Sequence, residues 1–275
     1  MMRIVDPSYP GYFISELAPV LLRGHGDLLR RENWALSGPA TPFRELVPER
    51  ELDYFGVPFY PATGRNGSPY REGDVSRRVP HIGWHEAHVM QITDPDHYWY
   101  DPNGRTFHIF ARCESHRAGY TAMCTVTEDE DGQLNLDLQR TPSGRKMVFF
   151  PMPGGQMKFH LLYDSETRLY WLASTQAVDT MTRLDRLPSD RYQLPYNERN
   201  RLQLHFSRNM VDWCFAGLID SGDSALASRH YISMVTEGDD LLILSRSGDG
   251  KNNPNPHDTN LITLHRISDF RELAY

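Results

Sequence analysis

Apolar residues along this chain come in short runs, each closed by a turn rich in Asp, Gly or Pro. Four segments repeat one layout: an apolar strand, a turn, then a second apolar strand. They are APVLLRGHGDLLRRE from Ala18, HVMQITDPDHYWYDPNGRTFHIFAR from His88, KFHLLYDSETRLYWLAS from Lys158 and YISMVTEGDDLLILSR from Tyr231. Short apolar runs bounded by turn residues are strand signals. The first strands begin near residues 19, 88, 159 and 231, in steps of 69, 71 and 72. Helical periodicity is weak by comparison. The best helical stretch, ELAPVLLRGHGDLLRREN, is broken by Pro19 and by Gly24-His25-Gly26.

A fixed period in a strand-rich chain predicts a β-propeller, each repeat forming one four-stranded blade. The expected fold is therefore all-β, a propeller of about four to six blades in a single domain over residues 1–275. A blade needs only ~40–50 residues, so the longer step leaves room for loops. Residues 38–83 and 182–201 are such loops, polar and rich in Arg and Pro. LQLHFSRNMVDWCFAGLI reads as strand, turn, strand, with Ser207, Asp212 and Trp213 at the turn. The C-terminal NLITLHRISDFREL is expected to pair back with the first blade. A β-sandwich is the alternative, and it does not predict the regular step.

Composition narrows the function classes. Apolar residues make up 39% of the chain, with 14 Tyr, 12 Phe and 5 Trp, enough for a real core. The net charge of −7 gives a nucleic-acid partner no electrostatic support. Cys113, Cys124 and Cys214 lack metal-ligand spacing and are read as buried thiols. No run approaches the ~18 apolar residues of a membrane span. The first residues lack the build of a signal peptide, so a cytoplasmic location is expected from the start as written. The sequon Asn66-Gly67-Ser68 is read as chance in a polar loop.

The candidate chemistry gathers around the repeated hairpins. Glu86 stands in His85-Glu86-Ala87-His88, where strand alternation places Glu86 and His88 on one face. This is not the helical HExxH zinc pattern, and no metal site is predicted. Arg112 and Arg246 end equivalent strands, so a propeller would bring both toward its axis to hold an anion. Arg229, His230 and Tyr231 open the last hairpin, and Lys158 and His160 open the third. Asp249, His257 and Asp258 occupy the loop after the last hairpin. Each has a purely structural alternative: ion pairs for the arginines, packing for Tyr231, Asx turns for the aspartates. Glu128–Asp131, the run EDED, is read as a solvated hairpin turn.

Several segments resemble the sialidase superfamily of glycosidases and its bacterial relatives. They are GWHEAHV with DPNGRTFHIFAR, PGGQMKFHLLYDSETRLYWLAS, FSRNMVDWCFAG, SRHYISMVTEGDDLLILSRSGD and HDTNLITLHRISDFR. The third is similar to the Asp-box turn (BNR repeat) of that family, in degenerate form. The resemblance covers about residues 17–275. It implies an exo-acting glycosidase that removes a terminal sugar from a glycan, acidic sugars among the candidates. Glu86 and Tyr231 match the family's catalytic glutamate and tyrosine. Arg112, Arg229, His230, Arg246, Asp249, His257, Asp258, Lys158 and His160 are then the substrate-binding set. A neutral tyrosine suits a substrate whose own carboxylate would repel an anionic nucleophile, the known departure from the two-carboxylate scheme. Arginines suit the same substrate, because a guanidinium holds a carboxylate through two parallel hydrogen bonds.

The departures from the family are equally specific. Arg23, Arg30 and Arg31 are the candidates for its first-blade arginine, and no aspartate stands in the context of its acid. Ser245-Arg246-Ser247 occupies the place of a family glutamate. The blade count suggests a chain short at its N-terminal end relative to the family. A two-carboxylate glycosidase would draw on Glu32, Glu86, Asp249 and Asp258. The competing expectation is a non-catalytic propeller that binds carbohydrate or protein through its loop face. No cofactor is predicted, and structural Ca²⁺ is left open.

Overall fold

The computed structural model describes residues 2–5, 20–39, 51, 70–72, 75–77, 84–113, 118–147, 149–182, 186–188 and 197–275. Most of the predicted loop 38–83, including the sequon, lies outside them, as does much of 182–201. The elements with described bounds are strands and short 3-10 turns. The all-β expectation therefore holds, and the sheets are antiparallel meanders, the construction of propeller blades.

The first sheet joins β1 (Met2–Val5), β2 (Val20–Gly24) and β3 (Trp34–Leu36) in chain order. A two-stranded ribbon follows, β4 (Tyr70–Glu72) with β5 (Val75–Arg77). The next sheet holds β6 (Trp84–Met90), β7 (Thr106–Cys113), β8 (Tyr120–Glu128), β9 (Leu134–Arg140) and β10 (Lys146–Met147), with β11 (Phe149–Pro151) also paired to β8. Then come β12 (His160–Asp164), β13 (Leu169–Thr175), β14 (Arg201–Ser207) and β15 (Cys214–Ser221) as a four-stranded meander. The last sheet is β16 (Arg229–Glu237), β17 (Asp240–Ser247) and β18 (Leu261–Ile267). Three repeated hairpins of the sequence are β6–β7, β12–β13 and β16–β17; in the first repeat DLLRRE forms a turn and the start of a 3-10 turn, Leu29 is exposed, and β2 pairs instead with β3 beyond that segment.

Contacts divide the chain into two compact units. One comprises Met1–Ser68, Arg78–Glu114 and Thr121–Phe150; the other Pro69–Arg77, Ser115–Tyr120 and Pro151–Tyr275. In the first unit, Phe107, Ile109, Phe110 and Val126 are buried. Trp99 packs against them, its ring 5.0 Å from His108 and 5.6 Å from Phe150. Arg23, one candidate for an anion-holding arginine, instead forms an ion pair with Glu128 there. Arg30 pairs with Asp27 and Glu32 on the surface. Asp129 closes the EDED turn by accepting the Asp131 and Gln133 backbone N–H groups.

The second unit is built on β13, whose residues LYWLAST are all buried. A strand flanked on both sides and covered on both faces reads as a continuous apolar run, which is why this one is so legible. Trp171, Leu204, Phe206, Met234, Ile243 and Phe270 form its core. Among the described strands the C-terminal segment pairs within this unit. β18 pairs with β17 from Leu241↔Ile267 to Ser247↔Leu261. Beyond it, Phe270 sets its ring edge-on to Trp171 at 5.0 Å. Arg271 then locks the segment down, its Nε and Nη2 donating to the two oxygens of Asp164 at 2.9 and 3.0 Å. Pairing a strand with its chain neighbour costs less closure entropy than a return to the start of the chain.

The turn between β14 and β15 is self-bonded. Ser207 Oγ accepts the N–H groups of Asn209 and Met210, and Asn209 Oδ1 accepts those of Val211 and Asp212. Cys113 and Cys124 are buried as expected, but Cys214, at the start of β15, is exposed. An edge strand has no further neighbour to cover it, so the residue type did not decide its burial.

Candidate active site

Two hairpins depart from regular pairing in the same way. In β6–β7, His85 pairs with Arg112 and His88 with Phe110, so two residues, Glu86 and Ala87, face one. In β16–β17, His230 pairs with Arg246 and Ser233 with Leu244, so Tyr231 and Ile232 face one. Each is a β-bulge, a device that bends a strand and re-aims a side chain. The bulged Glu86 and Tyr231 both have φ of 52°. Among the described non-glycine residues with positive φ, the other three, Arg168, Met210 and Asp269, lie in turns. Only Glu86 and Tyr231 adopt it inside a strand. A left-handed residue without glycine's freedom costs about 1–3 kcal/mol, and such strain gathers at functional sites. The bulge also interrupts the alternation that had put Glu86 and His88 on one face.

Each bulged residue meets the arginine from the paired strand. Arg112 Nη1 donates to Glu86 Oε2 at 3.0 Å, the arginine side chain being only 4% exposed and the glutamate 21%. Arg246 lies over the Tyr231 ring, 4.9 Å from its centroid. A cation over the ring face is attracted by the aromatic quadrupole. The two arginines otherwise differ. Arg246 is held from behind, Nε donating to Thr259 Oγ1 at 2.8 Å and Nη2 to the His257 carbonyl.

Around Tyr231 the second unit assembles a compact group. The His230 ring lies 5.0 Å from Tyr231, and the His257 ring 6.4 Å from both. His230 is fully buried, and Arg199 Nη1 donates to its Nδ1 at 3.2 Å. Burial, with the nearby Arg199 and Arg246 charges, pushes the His230 imidazole down to about 2. It is a neutral ring whose Nδ1 lone pair is taken. The predicted substrate contact at His230 is therefore a supporting wall behind Tyr231.

The other predicted positions are more scattered. Arg229 Nε bonds to Asp220, and its Nη1 to the carbonyls of Ser228 and Gly248. These donors hold the strand end and are not turned to a ligand. Asp249 accepts the Lys251 and Asn252 N–H groups, which hold its carboxyl well below the usual range. That is the Asx-turn role. His160, at the start of β12, is lowered to about 4 by burial and then by Lys158. Glu32 is an exposed partner of Arg30. No group of three or more His, Cys, Asp or Glu among the described residues is arranged to hold a metal ion.

Sequence reading missed Arg199, which fixes His230, and Asn255, which builds the loop carrying His257. Arg199 closes a polar run with no periodicity, and Asn255 sits in a Pro/Asn-rich stretch that reads as turn alone. It also missed Glu198, only 1% exposed, which receives the N–H groups of Val178, Asp179 and Thr180 together with Arg201.

The buried histidines make stability depend on pH. His108 and His205, like His230, are buried and neutral, both lowered to about 4 chiefly by burial. Their folded values lie below the ordinary 6.5, so the unfolded chain binds protons first as pH falls. Stability is full above about pH 6.5 and declines below it, by up to about 1.4 kcal/mol per pH unit per histidine. The denaturant midpoint is expected to be clearly lower at pH 5 than at pH 7.5. Equal midpoints would show that these rings are already protonated in the fold or solvated.

No protein-family model and no curated protein sequence matches the chain. Solved structures do align with it at low identity. A β-fructofuranosidase from Schwanniomyces occidentalis, complexed with fructosyl-erythritol, aligns with TM-score 0.49 and 8% identity over 96% of this chain and 40% of its own. The inulosucrase of Halalkalicoccus jeotgali, bound to kestose, aligns with TM-score 0.42 and 11% identity, covering 97% and 64%. A Trypanosoma rangeli sialidase mutant displaying trans-sialidase activity aligns with TM-score 0.36 and 10% identity, covering 99% and 42%. The chain spans less than two thirds of the length of each of these three.

Proposed function

We propose that the protein is a sialidase-like exo-glycosidase that hydrolyses a terminal sugar, with acidic sugars the favoured class, within a single propeller domain. The observation that carries this reading is the pair of matched bulges. Each puts one of the two candidate catalytic residues, Glu86 and Tyr231, at φ of 52° against an arginine from the paired strand. Tyr231, with a cation over its ring, serves as nucleophile; Glu86 is the second candidate catalytic residue. Arg112, paired with Glu86, is the candidate anion holder beside it.

The second reading is a carbohydrate-binding propeller without catalysis. One observation favours it: Arg229 and Arg246 spend donors on their own strand ends and loop. Arg112 likewise gives a donor to Glu86.

The test is a panel of chromogenic glycosides that includes an α-sialoside and a uronide, run with the wild type, Tyr231→Phe and Glu86→Gln. Release from one substrate, lost in both variants, supports the enzyme. Glycan binding without release, from protein shown to be folded, moves the assignment to the binding module.

A further inference from the structure

The loop after β17 is built around one pair of side chains. Asn255 Oδ1 accepts the N–H groups of His257 and Asp258, and Asn255 Nδ2 bonds to Asp258 Oδ2. Asp258 Oδ1 lies 3.0 Å from His257 Nδ1. The carboxylate accepts, so Nδ1 carries the proton and Nε2 is the ring's remaining group. Arg246 fixes the same loop through the His257 carbonyl while lying over Tyr231. The His257 ring stands 6.4 Å from the Tyr231 ring, nearly perpendicular at 85°. Unlike His230, it is open, its side chain 52% exposed.

We infer that His257 is the general acid of this site, with Asp258 and Asn255 as its positioning residues. The inference rests on the glycosidase reading and supplies the acid that no aspartate in the sequence provided. The nucleophile's base must sit with the phenol, but the acid must reach the leaving-group oxygen, which points outward from an exo-acting site. A half-exposed ring beside Tyr231 meets that requirement. In the step, Tyr231 oxygen bonds to the anomeric carbon while its phenolic proton passes to solvent water. The glycosidic C–O bond breaks, its electron pair goes to the leaving oxygen, and that oxygen takes the Nε2 proton of imidazolium His257. The Asp258 carboxylate, bonded to Nδ1, keeps the ring oriented with Nε2 toward the leaving oxygen. The other charged or titratable groups at the ring are Tyr231, the neutral His230 and Arg246, whose positive charge also acts on Asp258.

The test compares paired substrates of one sugar, α-sialosides and uronides carrying either a 4-nitrophenyl or a methyl leaving group. His257→Gln is expected to lose about 10²–10⁴-fold on the methyl glycoside, which needs protonation. It should lose about tenfold or less on the nitrophenyl glycoside, and the alkaline limb of the kcat pH profile should vanish. Asp258→Asn should move that limb to lower pH with the fold intact by thermal melting. Equal losses on both leaving groups, or an unchanged alkaline limb, overturn the assignment of the acid while leaving the Tyr231 reading standing. If the wild type turns over neither member of any pair, both readings fall together.

Discussion

Tyr231→Phe is expected to lower glycoside hydrolysis by about 10³-fold while leaving the melting temperature nearly unchanged. The substitution removes one oxygen. The ring stays, so Arg246 keeps an aromatic face to lie over at 4.9 Å, and the contacts with His230 and His257 persist. The left-handed backbone at this position is equally strained with either residue, so the strain does not alter the comparison. The effect should fall on kcat more than on KM, because the oxygen acts in the bond-making step and not in holding the ground state. A variant that keeps wild-type rates would remove Tyr231 from the chemistry. Glu86→Gln is a less clean probe. It takes the counter-charge from Arg112, whose side chain is 4% exposed, so a drop in stability accompanies any loss of activity.

Glu198→Ala should be the most destabilising of the surface-loop substitutions, costing about 3–5 kcal/mol and roughly 10 °C of melting temperature. The carboxylate is 1% exposed and takes four partners at once. Oε1 accepts from Val178 N at 2.7 Å, Asp179 N at 3.0 Å and Arg201 Nη1 at 2.7 Å. Oε2 accepts from Thr180 N at 3.0 Å. These N–H groups open the 3-10 turn Asp179–Met181, which has no side-chain cap of its own. Removing the carboxylate leaves three backbone donors and one cation without their acceptor. Glu198→Gln separates charge from shape, since its amide keeps one acceptor oxygen; it should cost less than the alanine. A melting curve that Glu198→Ala leaves in place would mean that water replaces the carboxylate without penalty.

The strands were legible because their signal is local. Three of the four predicted hairpins repeat an apolar run, a turn and another apolar run, and β13 could be read from LYWLAST alone; in the first, LL of DLLRRE sits in a turn. The candidate residues could be picked by type, but their geometry could not be read. HEAH and HYIS look like uninterrupted strand, since nothing marks Glu86 or Tyr231 as the glycine that a left-handed position usually takes. The partners of the arginines are set by long-range pairing, which residue order does not reveal. Arg229 finds Asp220 and Gly248, and Arg246 finds Thr259 and the His257 carbonyl. For the same reason the sequence leaves His257 and Asp258 between pocket-lining and turn residues, and it does not show the Tyr231 ring that the fold sets beside His257.

The most direct test of the account is to ask where a sugar becomes attached. A glycoside with an activated leaving group and a fluorine beside the anomeric carbon slows both steps and lets a glycosyl-enzyme accumulate. After incubation, peptide mapping by mass spectrometry reads the modified residue. The account predicts one sugar per chain, on the peptide that contains Tyr231, and none on Tyr231→Phe. A sugar found on a carboxylate such as Asp249 or Asp258, or steady turnover with no adduct and no sensitivity to Tyr231→Phe, would contradict it.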